Sequence, residues 1–309
     1  MDNRKLKSAT VVLFETNGEI RRLVKSALLG IGFGFVHDCR TLDQVRDAAV
    51  ADFTPDVFIL DLDSDKDAVC ALIADVRYSR IGHNPFVIII GMTHYPEEII
   101  VHYVLDAGTD DIIAKPVSAK ILTERIAYLI ENRKDFVAAP GYLGPQRATG
   151  VRPAMEEAAR VKVPNSLGMK SSGKTLTKFD ELEITRAANS FTLQRLYGII
   201  LPIINLSTEL EKAATQNSDG VNFEGKISRI VYMVGEIRGI EMPETVHDLN
   251  HLTNSLEKVV DSLATTPSPS PRQFEVVRLH AQAIAATMRG DDRGSGNVVT
   301  AFSDIREAT

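Results

Sequence analysis

Five times between Thr10 and about Asn132, a short apolar run is followed by a segment with apolar residues at three- and four-residue spacing. Apolar runs of this length, bounded by turn residues, read as strands buried on both faces; the segments between them read as amphipathic crossover helices. The candidate strands are TVVLFE (10–15), FGFVHDC (33–39), DVFILDL (56–62), FVIIIGMT (86–93) and DDIIA (110–114). Helical stripes follow the first (Ile20, Leu23, Val24, Ala27, Leu28), the third (Val69, Leu72, Ile73, Val76) and the fifth (Ile121, Leu122, Ile126, Leu129). Thr41 with Gln44 predicts a capping box, and Gly108 predicts the end of the fourth helix. The expectation is an α/β fold over residues 1–135, a doubly wound five-stranded parallel sheet.

The pattern then changes. Residues 136–175 hold Pro140, Pro145, Pro153 and Pro164 among several glycines, which predicts a flexible linker. From 176 to 309 longer amphipathic helices take over, with Pro202 expected to interrupt or kink the first. Leu249, Leu252, Leu256, Val259 and Leu263 step by alternating three and four, as do Phe274, Val277, Ala281, Ile284 and Met288, and TTPSPSP (265–271) lies between them. An antiparallel helical hairpin in an all-α interaction region is the simplest arrangement. Its stripes read as bundle core, with a homodimer or partner seam as the alternative.

Charge and composition narrow the function. A net charge of -6, with an acid excess in the helical region and no helix-turn-helix signature, argues against nucleic acid as a partner. The two cysteines, Cys39 and Cys70, lack metal-like spacing and read as reduced thiols. The N-terminus lacks the apolar core of a signal peptide, and the run from Ile199 to Leu206 is far short of the roughly 20 residues that span a bilayer. The expectation is a cytoplasmic protein that does not enter the membrane.

In a doubly wound sheet, ligands gather at the carboxyl ends of the strands. Those ends carry Glu15, Asp61, Thr93 and Lys115, so two acids, a hydroxyl and an amine converge from widely separated positions. These types suit aspartyl phosphoryl transfer: a carboxylate attacks, a cation held by neighbouring acids offsets charge, and hydroxyl and ammonium hold the phosphoryl oxygens. Singly, Asp61 reads as a solvated turn carboxylate and Lys115 as a surface ammonium; together they favour chemistry.

On the segments PDVFILDLD, NPFVIIIGMT and DAGTDDIIAKP, the chain resembles the receiver domains of two-component response regulators over roughly residues 8–133. The resemblance implies a flavodoxin-like fold, a cis peptide before Pro116, and magnesium-assisted phosphoryl transfer from a histidine kinase or phosphotransfer protein. It makes Asp61 the phosphoacceptor, Thr93 the switch hydroxyl, Lys115 the invariant lysine and Glu15 the first of two acids. Magnesium would lie on Glu15, Asp61 and Asp63. Thr16 stands where the family has its second acid and direct metal ligand, Ile112 replaces its aromatic switch residue, and the loop from Asp63 to Asp67 lacks its Met-Pro and Gly. These departures keep open a phosphorylation-independent scaffold that retains the fold as a docking surface.

Other motifs are weaker. Gly168, Gly173, Lys174 and Thr175 match a phosphate-loop pattern, the basis of a nucleotide-binding-enzyme alternative, but no buried strand precedes them. His247 and His251 superficially match a zinc-protease pattern in which Asp248 replaces the Glu, and read as a solvated helix face. His280 lacks the residues that usually follow a phosphotransfer histidine. No catalytic output motif is apparent, so the helical region is expected to work through a downstream protein partner rather than as an enzyme.

Overall fold

The structure, a computed structural model, describes residues 6–51, 54–139, 142–147, 160–174, 176–218, 220–240, 242–243 and 248–288. The chain forms two compact units, Met1–Ser190 and Phe191–Thr309.

In the first unit, strands and helices alternate as β1 (Thr10–Phe14), α1 (Gly18–Ile31), β2 (Phe35–Cys39), α2 (Leu42–Ala49), β3 (Val57–Asp61), α3 (Lys66–Arg77), β4 (Ile88–Thr93), α4 (Glu98–Asp106), β5 (Asp111–Ala114) and α5 (Ala119–Glu131). The five strands make one sheet in the order β2-β1-β3-β4-β5, every pairing parallel. This is the doubly wound, flavodoxin-like topology, with its switch point between β1 and β3.

The sequence forms this sheet because successive strand residues face opposite sides and both sides are covered. Val11 and Leu13 of β1 join Ile59, Ile90, Val24, Leu28, Leu122 and Ile126 on one face. Val12 and Phe14 join Phe58, Leu60, Ile89, Val69, Ile73 and Val104 on the other. Caps set the helix starts: Asn17 accepts from the Glu19 and Ile20 amides, Asp65 from Ala68, and Ser118 from Ile121. Thr41 caps α2 by accepting from Gln44 N at 3.3 Å, while the Gln44 amide oxygen accepts from Arg40 N, one residue earlier than a capping box requires. Gly108, at φ +107°, follows the α4 C-cap Ala107.

Residues 136–175, expected to be a linker, contain further structure among the described residues: β6 (Phe136–Ala139), β7 (Tyr142–Pro145), β8 (Arg160–Val161) and α6 (Ser166–Ser171). The strands form an antiparallel sheet in the order β7-β6-β8. Strands this short show no periodicity of their own; side-chain anchors hold them. Phe136 and Tyr142 are fully buried. The Phe136 ring lies 5.1 Å from the Arg77 guanidinium and 5.0 Å from that of Arg133. Arg77 donates to the carbonyls of Gly108 (2.8 Å), Pro85 (2.6 Å) and Val87 (2.7 Å) and to Asp110 Oδ2 (2.7 Å). Asp110 also accepts from Ile89 N and pairs with Arg133. The network ties β6 to the amino ends of β4 and β5.

The helices α7 (Lys178–Thr215), α8 (Phe223–Ile237), α9 (Leu249–Thr265) and α10 (Pro271–Met288) complete the described elements. Helix α7 runs through Pro202 rather than stopping there. The proline lacks the amide that would have bonded the carbonyl of Gly198, so the helix passes this turn one backbone hydrogen bond short. In the second unit, Ile200, Ile203, Ile230, Leu256, Val260, Phe274, Val277 and Ile284 share one core. The α9 and α10 stripes therefore face a bundle interior, and Pro271 opens α10 at the first helical position, where proline is well tolerated. Among the described residues, no helix is long and apolar enough to cross a membrane.

Candidate functional site

The switch point holds the acids. Strand β1 delivers Glu15 one residue past its end, and β3 ends on Asp61 itself; both are almost fully buried. Strand β5 and the residue after it deliver Lys115, whose peptide to Pro116 is cis. The Lys115 Nζ lies 2.6 Å from Asp61 Oδ1, 2.8 Å from Glu15 Oε2 and 3.1 Å from Asp63 Oδ2. Its side chain is only 2% exposed, so this ammonium is committed to the cluster. Burial pulls the Lys115 ammonium down, but its bonds to Asp61 and Glu15 outweigh that and hold it above the ordinary lysine value.

Three carboxylates around one ammonium leave an excess of negative charge, which polar donors offset. Glu15 Oε1 accepts from Asn17 N at 2.9 Å, and Asp61 Oδ1 from Asp63 N at 3.0 Å. Asp61 Oδ2 is the less engaged oxygen, accepting from the Thr16 hydroxyl at 3.3 Å. Arg21 fixes the loop after β1, donating to the Glu15 carbonyl at 2.7 Å and the Thr16 carbonyl at 3.3 Å.

Thr93, buried at the end of β4, joins the cluster through Asp63. Its hydroxyl donates to Asp63 Oδ1 at 2.7 Å and accepts from Tyr95 N at 3.0 Å. The Asp63 carboxylate also accepts from His94 N at 3.1 Å, and its Oδ2 lies 2.7 Å from His94 Nδ1. Burial works against the Asp63 charge, but bonds from Thr93, His94 and Lys115 hold its carboxyl below the ordinary aspartate value.

All five expected site residues, Glu15, Asp61, Asp63, Thr93 and Lys115, therefore meet in one cluster. His94 and Arg21 are further members that sequence reasoning missed. A polar residue directly after a strand-end hydroxyl was a usable signal for His94; nothing local marked Arg21. Ile112 packs against the α3 side of the sheet core.

The residues do not fit a resident magnesium ion. Each of the three carboxylates turns one oxygen onto Lys115, so a cation would compete with an ammonium already in place, and Thr16 supplies a hydroxyl rather than an acid beside Asp61. Among the described residues, no group of three or more His, Cys, Asp or Glu is arranged to hold a metal.

The other motifs do not form sites. Gly168 lies within α6, Lys174 pairs with Asp180 at 2.5 Å, and the preceding strand is the two-residue antiparallel β8; Thr175 lies outside the described residues. Without a parallel strand leading into it, this is no phosphate loop. His247 also lies outside the described residues, and His251 is exposed on α9. His280 is 1% exposed, with Nδ1 2.8 Å from the Val276 carbonyl and Nε2 3.2 Å from Ser255 Oγ. Neither a protein-family model nor a curated protein matches this chain.

Proposed function

We propose that the first unit is a receiver-type switch in two-component signalling, taking a phosphoryl group on Asp61 from the phosphohistidine of a kinase or phosphotransfer protein. The observation that carries this reading is the Asp61 carboxylate at the switch point, 2.6 Å from Lys115, with its Oδ2 turned to exposed Thr16. In the step, an Asp61 oxygen attacks phosphorus and a P–O bond forms. The donor P–N bond breaks, and its electron pair returns to the imidazole nitrogen, which takes a proton. Lys115 offsets the charge that develops on the phosphoryl oxygens. The signal then passes to a downstream protein partner through the helical unit, in the cytoplasm, where the phosphodonor works. The chain is not read as an enzyme in its own right.

Incubating the protein and its Asp61→Ala variant with acetyl phosphate and measuring intact mass tests this. A phosphoryl increment present in the parent and lost in the variant is expected; an increment in neither overturns the reading. That second outcome would favour the phosphorylation-independent scaffold, for which Thr16 and Ile112 already speak.

A further inference from the structure

We infer that the Asp63 carboxylate is a built-in occupant of the phosphoryl-receiving subsite and competes with phosphorylation of Asp61. The inference rests on the phosphoryl reading above and concerns the regulation of that same site.

A threonine hydroxyl has one proton to give and an ammonium has three. Thr93 gives its proton to Asp63 Oδ1, and its oxygen already accepts from Tyr95 N. Lys115 donates to Asp61 Oδ1 and lies within ion-pair distance of Glu15 Oε2 and Asp63 Oδ2, so its charge is shared among three carboxylates. The His94 amide is directed at Asp63 as well. Hydroxyl, ammonium and amide are the donors that an aspartyl phosphate would recruit, and a carboxylate, itself an oxyanion, holds all of them. Thr93 has no second proton, so a phosphoryl oxygen gains its bond only when Asp63 leaves.

Asp63 is built to leave. Its side chain is 19% exposed against 2% for Asp61, and it stands on the loop after β3 rather than in the strand. Its other partner, His94, is exposed at the mouth. Swinging the carboxylate outward would free the Thr93 hydroxyl and remove one of the three negative charges around Lys115 while leaving the Asp61–Lys115–Glu15 contacts in place.

A magnesium-ligand role for Asp63 makes the opposite prediction, so one experiment separates the two. Phosphoryl incorporation from acetyl phosphate in magnesium-containing buffer is followed by intact mass for the full-length parent, Asp63→Ala, Asp63→Asn, and Asp61→Ala combined with Asp63→Ala. If Asp63 fills the subsite about nine-tenths of the time, its removal raises the initial rate about tenfold. The expected result is that rise in Asp63→Ala, a smaller one in Asp63→Asn, and no incorporation in the double variant. Equal rates in the parent and both Asp63 variants would overturn the inference and leave Asp61 as acceptor. Slower incorporation in Asp63→Ala would overturn it in favour of a metal ligand. Incorporation in none of the chains would overturn the phosphoryl reading and this inference with it. Should Asp63→Ala fail to fold, Asp63→Asn, which keeps the side-chain volume, decides by the same comparison.

Discussion

At the scale of single residues, Lys115 is where stability and chemistry coincide. Replacing it with Met leaves Glu15 and Asp61 buried and facing each other without their ammonium. Breaking a buried ionic group from one side costs about 3–5 kcal/mol, and urea unfolding at pH 7 should show a loss of that order. The parent has its own signature. Because the Lys115 value is raised in the folded state, the stability it contributes is complete below the ordinary lysine value of about 10.4 and is lost as pH rises beyond it. Unfolding midpoints that stay level between pH 9 and 12 in the parent would contradict this. The positions of Glu15, Asp61, Thr93 and Lys115 were legible in the sequence because strand ends in a parallel sheet converge whatever their separation. The Thr93–Asp63 bond was not, since it depends on the path of the loop after β3, which no periodicity reports.

At the scale of elements, the five strands and their crossover helices were legible because each is buried on a defined face, and burial writes itself into apolar spacing. The small antiparallel sheet was not. Its strands are four, four and two residues long, and what holds it is a guanidinium at the end of α3. Burial draws Arg77 down to about 10 against the pull of Asp110, so it remains charged at neutral pH. Arg77→Met should cost about 3–5 kcal/mol in urea unfolding, because Asp110 and three carbonyls lose donors in a dry site. Arg77→Lys should recover little of it, since an ammonium lacks the flat fork that reaches four acceptors at once. Gly108→Ala tests the same place by shape. At φ +107° a Cβ would meet the Leu143 carbonyl oxygen and Arg77 Cγ, each at 2.8 Å, and a cost of about 1–3 kcal/mol is expected.

At the scale of the whole molecule, the two units should answer acid differently, and His280 sets the behaviour of the second. Burial lowers its value below that of a free imidazole, with the Val276 carbonyl opposing. The folded helices therefore hold it neutral, and the unfolded chain binds the extra proton. Stability is complete above about pH 6.5 and declines as pH falls through and below that value. Hydrogen exchange in α9 and α10 should quicken between pH 7.5 and 5.5 after correction for intrinsic rates, and His280→Leu should flatten that dependence. In the first unit, the amino ends of β4 and β5 are bolted to the small sheet by stacked guanidinium and aromatic groups, while the carboxyl end of β4 is tied to the loop after β3 through the Asp63 carboxylate. The sheet thus resembles a tuning fork gripped at its base. Loss of the Asp63 carboxylate is therefore expected to loosen the open end, at His94 and Tyr95, and to leave the base unmoved.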